Sequence, residues 1–274
     1  MHPILFKIFG FEVHSYGVMM VVAFMAALFI AQRRATKYGL THNQVSDLCF
    51  WTLVAGVIGA RVVFILQDLP YYLANKSELF SLQFRGLTSF GGLIFGMVAV
   101  IIWGWRNKVP MWNLLDLAGP AFVVGHAFGR IGCLLNGCCF GGACPPNLPW
   151  GIHVEQSSVL HHPAQAYDSL MNFAVFGFLL WREKRGLNIG QLAGLTLMLH
   201  GATRVIYEFW RAGTEAQVKA NEASSTYWGN LPFTQAQAMA AVLVVVGFTI
   251  YLAAAHRNLG TPVQQNPPSE PIAA

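Results

Sequence analysis

Apolar stretches long enough to cross a bilayer recur along almost the whole chain, and this constrains its fold more than any other feature. A helical span needs roughly 20 predominantly apolar residues. Such stretches lie at about 14–32, 46–66, 88–106, 112–135, 164–182, 189–209 and 235–255. Charged residues make up only 11% of the chain, against about 25% in soluble domains. The pattern predicts an all-α polytopic membrane protein with about seven transmembrane helices. A single membrane domain is expected over residues 1–258, followed by a polar, Pro-rich tail over 259–274 expected to be disordered. The first 17 residues hold a single Lys and no small-residue cleavage site, so they are not expected to form a signal peptide.

The distribution of Lys and Arg predicts orientation, because cytoplasmic loops carry the excess. One set of loops holds Arg33, Arg34, Lys37, Arg106, Lys108, Arg182, Lys184, Arg185 and Arg257. The opposite set holds Lys7, Lys76, Arg85, Arg211 and Lys219. The richer set marks the cytoplasmic side, which puts the N-terminus outside and the C-terminus inside and requires an odd number of spans. This bias also accounts for the net charge of +5, so no nucleic-acid partner is expected. No internal repeat is visible, which argues against a repeat-built transporter.

The remaining basic residues, Arg61, Arg130 and Arg204, fall inside predicted spans. A charged side chain there costs about 2.5–3.5 kcal/mol on insertion scales, so it is rare without a role. Each sits about five residues from the outer end of its span, roughly 8 Å below the interface at the helical rise, near phospholipid headgroup depth. A guanidinium is a planar, permanently charged fork that binds phosphate through paired hydrogen bonds. Pairing with internal acids is the competing explanation, with Asp47, Asp68, Asp116, Asp168 and Glu208 available. His200, Arg204 and Glu208 follow i, i+4, i+8 and share a helix face, and His126 lies four residues before Arg130. Two spans thus present an imidazole, able in its neutral form to take a proton, one turn from a fixed cation.

The fourth span runs into a glycine- and cysteine-rich stretch, residues 129–151, holding Cys133, Cys138, Cys139 and Cys144. The spacing C-x4-C-C-x4-C matches no common zinc knuckle, and no metal or cofactor is expected. A disulfide, which an oxidising face would permit, and plain packing both remain open. Glycines beside an embedded Arg allow close backbone approach to an anionic ligand.

The run Gly129-Arg130-Ile131-Gly132, with Asn136-Gly137 and Gly141 after it, resembles the signature of the prolipoprotein diacylglyceryl transferase family. Further pieces follow in the family's order: Tyr16-Gly17, Gly59-Ala60-Arg61, Gly91-Gly92-Leu93-Ile94, His162-Pro163-Ala164-Gln165-Ala166-Tyr167, Gly201-Ala202-Thr203-Arg204 and Glu208-Phe209-Trp210-Arg211. The resemblance covers roughly residues 10 to 256. It implies an enzyme of the bacterial inner membrane that moves the diacylglyceryl group of phosphatidylglycerol onto the lipobox cysteine of prolipoproteins. A thioether forms and glycerol phosphate leaves. The resemblance makes Arg130 and Arg204 essential, with His200 and Glu208 as further catalytic candidates. Tyr16, Arg61, Asn136, Gly141, His162 and Gln165 become candidates for binding phosphatidylglycerol.

Four positions depart from the family pattern. Phe90 stands where a His proposed as base is frequent, Cys133 where Asn is common, Cys138 where an acid follows Asn-Gly, and His200 where Tyr is usual. His200 is therefore the candidate substitute base. Two other functions fit some of the same residues: a transporter or flippase of an anionic lipid or solute, with Asp116 and Asp168 coupling ions, and a paralogue with a redox or metal role for its cysteines. On the transferase reading, Cys138 and Cys139 are not required for the reaction.

Overall fold

The computed structural model describes residues 4–8, 11–75, 88–154, 157–211, 233–257 and 262. Lys76, Arg85 and Lys219, used for orientation, and nearly all of the 259–274 tail lie outside these residues. A β-hairpin opens the chain, β1 (Ile4–Ile8) against β2 (Phe11–His14), followed by helices α1 (Ser15–Arg34), α2 (His42–Gln67), the short α3 (Leu69–Ala74), α4 (Ser89–Arg106) and α5 (Met111–Asn136). After α5 come the short paired strands β3 (Ile152–His153) and β4 (Leu160–His161), then α6 (Ala164–Lys184), α7 (Gln191–Glu208) and α8 (Gln235–Arg257). A helix thus occupies each of the seven apolar stretches, with ends within a few residues of those expected. The two small antiparallel sheets were not anticipated. The alternating Ile, Phe and Val of the first hairpin is a strand pattern too short to register beside the long apolar runs.

By length and composition, α1, α2, α5 and α8 can each cross a membrane, and α4 contributes a shorter apolar helix, Phe90–Arg106. Large apolar side chains such as Met25, Phe50, Leu66, Ile101 and Val245 are exposed on these helices. Helix α6 is built the other way round. Its buried residues Gln165, Asp168, Ser169, Asn172, Val175, Leu179 and Glu183 recur every three or four positions. A polar stripe turned inward on a helix with an apolar outer face is where intramembrane polar groups are tolerated.

The chain divides into two compact units, residues 1–31 with 115–263, and residues 32–114. In the second unit, α2 packs on α4 through facing glycines. A Cβ at Gly59 would collide with the Phe95 side chain and lie 2.7 Å from the Gly91 carbonyl oxygen. Thr41 opens α2 with a capping box, its hydroxyl accepting from the Gln44 amide while the Gln44 side chain accepts from the Thr41 amide. Trp103 of α4 donates its indole N–H to Asp47 of α2 at 2.6 Å.

In the first unit, α7 packs on α8 through small residues spaced by sevens. Ala240, Gly247 and Ala254 are the buried residues of α8, and a Cβ at Gly201 would lie 2.8 Å from the Ala240 carbonyl oxygen. Lipid offers no hydrophobic drive for helix association, so close backbone contact supplies the attraction instead. Asp116 of α5 caps the start of α7, its carboxylate accepting from the amides of Gly190 and Ala193, each at 2.7 Å. That contact gives this buried acid a structural role, because the first amides of a helix lack partners within it.

Gly247→Val should destabilise the folded protein by more than the roughly 1–3 kcal/mol of ordinary overpacking, because the new side chain meets the Met198 amide and the Gly194 carbonyl. Gly177→Ala, with nothing within 4 Å of the added Cβ, should be neutral or slightly stabilising. Thermal unfolding of both variants in detergent checks the contrast.

Candidate active site

All but one of the candidate site residues belong to the first unit. Arg61 belongs to the second, where its guanidinium lies 5.9 Å from the Phe64 ring centroid and 5.7 Å from that of Tyr72. Each arginine occupies the last two turns of its helix, Arg61 in α2, Arg130 in α5 and Arg204 in α7.

Three helices meet at one carboxylate. Asp168 of α6 is fully buried, and its Oδ2 lies 2.7 Å from Arg130 Nε, 3.3 Å from His126 Nε2 and 3.8 Å from Arg204 Nη1. Its Oδ1 accepts from Asn172 Nδ2 at 2.7 Å. Both guanidiniums also lie over the Tyr207 ring, at 4.9 Å for Arg130 and 4.6 Å for Arg204. The pairing of arginines in apolar stretches with an internal acid is therefore realised for these two, with Asp168 as the acid.

The pairing is incomplete. Two fixed cations face one carboxylate, which leaves this group of three with one net positive charge. Arg130 Nε and Arg204 Nη1 are buried and close to Asp168, but neither has an aligned hydrogen bond; the same is true of the acceptor Gln165 Oε1. The short Arg130–Asp168 distance is thus an ion pair without a well-directed N–H···O bond. Buried charged donors without an acceptor are costly.

The histidines flank this pair. Asn172 Nδ2 faces the carboxylate, so its amide oxygen is left to accept, and it lies 3.2 Å from His200 Nδ1. That acceptor places the proton of neutral His200 on Nδ1 and leaves the Nε2 lone pair open. The His126 and His200 rings stand edge to face, 5.1 Å apart.

Glu208 is drawn elsewhere. One turn beyond Arg204, it pairs with Arg211 at 3.2 Å and accepts from the Thr234 hydroxyl at 3.3 Å. Gln165 donates to the Cys138 carbonyl at 2.6 Å and so ties the loop after α5 to α6. Gly141 donates to the His162 carbonyl at 2.8 Å. A Cβ there would sit 2.5 Å from the Trp210 carbonyl oxygen, so only glycine fits. His162 Nδ1 lies 3.3 Å from the Tyr167 hydroxyl. Tyr16, in the first turn of α1, packs over Gly132, and Asn136 ends α5. All five cysteines are free thiols. Positions 133, 138 and 139 cluster, and Cys144 is buried beside Gly151. Hydrogen bonds from the Cys133 and Cys138 thiols, with the charges of Arg130 and Arg211, hold the Cys139 thiol below its ordinary value.

Asn172 and Tyr207 went unread in the sequence, and Asp168 was only one acid among several. The rule that singled out the arginines, that an ionisable group inside a span needs a reason, applies equally to Asp168. Asn172 lies one turn after it on the same face.

Comparison with known proteins agrees with the motifs. The family described as prolipoprotein diacylglyceryl transferase matches residues 3–253. Three relatives carry the name phosphatidylglycerol–prolipoprotein diacylglyceryl transferase. The Clostridium tetani protein is 30% identical over 80% of this chain and 88% of its own length. The Wolinella succinogenes protein is 34% identical over 76% and 80%, and the Aliivibrio fischeri protein 31% identical over 96% and 92%. With the match running through every element that builds the Asp168 cluster, the chain belongs to the prolipoprotein diacylglyceryl transferase family.

Proposed function

We propose that this chain transfers the diacylglyceryl group of phosphatidylglycerol to the lipobox cysteine of prolipoproteins in the bacterial inner membrane. It does so as a seven-span protein with its N-terminus outside and its C-terminus in the cytoplasm. The observation that carries the reading is the Asp168 cluster, where two buried guanidiniums share one carboxylate and keep donors without aligned acceptors. That is a site for one more anion, and the phosphodiester of phosphatidylglycerol supplies it.

The chemistry follows from what the groups can do. The cysteine sulfur attacks the glyceryl carbon, the carbon–oxygen bond to phosphate breaks, and the bonding pair leaves with the phosphate oxygen. Negative charge grows on that oxygen in the transition state, where fixed cations in a water-poor site act most strongly. Arg130 and Arg204 take this role. Asp168 holds both guanidiniums in place and, before lipid binds, keeps the site from carrying two uncompensated charges.

The thiol proton must go to a base before or during attack. His200, held through Asn172 with Nε2 open, can accept it and later return it to the departing phosphate. Arg61, in the second unit, is proposed separately as a lipid-binding residue, and Tyr16, Asn136, Gly141, His162 and Gln165 complete the proposed lipid site of the first unit. Glu208 supports it through Arg211 and Thr234.

Arg204→Ala should insert and fold, and Arg130→Ala, which breaks the Asp168 ion pair, should insert with lowered stability; each should lose transfer by about 10²–10³-fold or more, the scale for removing one charge-stabilising donor. The assay is glycerol phosphate release from phosphatidylglycerol with a lipobox peptide. Near wild-type release by Arg204→Ala would overturn the clamp. A transporter would move the lipid without releasing glycerol phosphate.

His200→Phe should lose about 10²–10⁴-fold in transfer, the usual worth of general-base help, while still binding phosphatidylglycerol. His200→Tyr restores the usual family residue and separates the roles: full activity in both variants eliminates His200 as base and moves the test to His126.

A further inference from the structure

The loop after α5 gathers three thiols that the proposed transfer does not use. The Sγ atoms of Cys133, Cys138 and Cys139 all lie within 4.8 Å of one another. An ion bound at about 2.3 Å to each of three sulfurs needs them roughly 4 Å apart, so closing the set takes a sub-ångström adjustment.

The backbone is built to hold this arrangement. Helix α5 ends with Gly137 at φ 75°. The Gly137 amide donates to the Leu134 carbonyl and the Cys138 amide to the Cys133 carbonyl. These two bonds form a Schellman motif, which folds Cys138 back over the last turn, close to Cys133. The Cys138 thiol itself lies 3.7 Å from the Cys133 carbonyl oxygen.

Cys139 then adopts φ 61°, the left-handed region that a non-glycine residue adopts only at a cost. Neighbouring side chains on an extended chain point to opposite faces. The left-handed turn instead brings adjacent sulfurs into one cluster. Gln165 fixes the loop from α6 at 2.6 Å, and the Gly142 amide anchors it to the Trp210 carbonyl at 2.8 Å. Cys144 stands apart, which is why the four-cysteine spacing matched no zinc pattern: the relevant set has three members and an internal CC pair.

We propose that Cys133, Cys138 and Cys139 form a binding site for a single thiophilic d10 metal ion, one turn beyond Arg130 on the same helix end. Three thiolates with no further His, Cys, Asp or Glu in the group among the described residues suit trigonal Cu(I), or Zn(II) completed by an external ligand. Binding releases the thiol protons and involves no electron transfer.

The test uses the full chain purified in detergent with reductant removed under anaerobic conditions. It is titrated with Cu(I) against a chromophoric chelator and, separately, dialysed against Zn(II) with metal analysis. One ion per chain should be retained by the wild type and by a Cys49→Ser/Cys144→Ser variant. Cys133→Ser should weaken retention by more than the roughly 10–100-fold that changes to ligand-supporting groups produce, and the triple Cys133→Ser/Cys138→Ser/Cys139→Ser variant should abolish it. Sulfur counting by X-ray absorption distinguishes a three-sulfur Cu(I) shell from a Zn(II) shell with an added light ligand, and either supports the site. Failure of the folded wild type to retain either ion overturns the proposal, as does retention unchanged in the triple variant. So does a disulfide within the set, found by thiol blocking and mass spectrometry of the native protein. Because the readout is bound metal, failure of the transferase reading would leave this result unaffected.

Discussion

The ion pair between the Asp168 carboxylate and the Arg130 guanidinium is the contact on which the first unit depends. It joins α5 to α6 at 2.7 Å, and Arg204 brings in α7 through the same oxygen. Away from water, breaking such a pair leaves an uncompensated buried charge and costs several kcal/mol. The position of one carboxylate therefore sets the register of three helices. Asn172 and His126 use the remaining acceptor capacity of Asp168, so neither oxygen is idle.

On the proposed reading, what makes the group functional is its imbalance. A structural ion pair needs one cation for one anion, and here a second cation lies on the same carboxylate with its Nη1 lacking an aligned acceptor. The Tyr207 ring offers its negative face to both guanidiniums, which softens the cost of holding two positive charges together. The cluster is held by elements that are themselves fixed. Glycine contacts bring α8 against α7, and the Asp116 cap joins α5 to the start of α7. Asp116, which a transporter would need for coupling ions, is engaged as that cap.

Much of the site was legible because its residues break the rule of their surroundings. An arginine in an apolar helix stands out on energetic grounds alone, and the helical spacing of His200 to Arg204 and of His126 to Arg130 places each imidazole beside its cation. Asp168 was harder to read, since its segment opens with a polar, irregular stretch and its burial depends on which face of α6 turns inward. Glu208 shows the limit of helical spacing. Spacing puts it on the Arg204 face, yet its carboxylate goes to Arg211 and Thr234, because those partners approach from outside the helix.

The sequence alone determined the helices and the presence of cations within apolar stretches. Length, apolarity and charge placement are local properties, and a bilayer-length apolar run has few conformations that satisfy its own amides. Tertiary structure decided which groups meet. That Asp168 rather than Asp47, Asp68 or Asp116 receives the arginines depends on long-range packing, which no local pattern encodes. The same holds for the convergence of three of the five cysteines, where a Schellman turn and one left-handed residue bring together side chains that a linear spacing rule had kept apart.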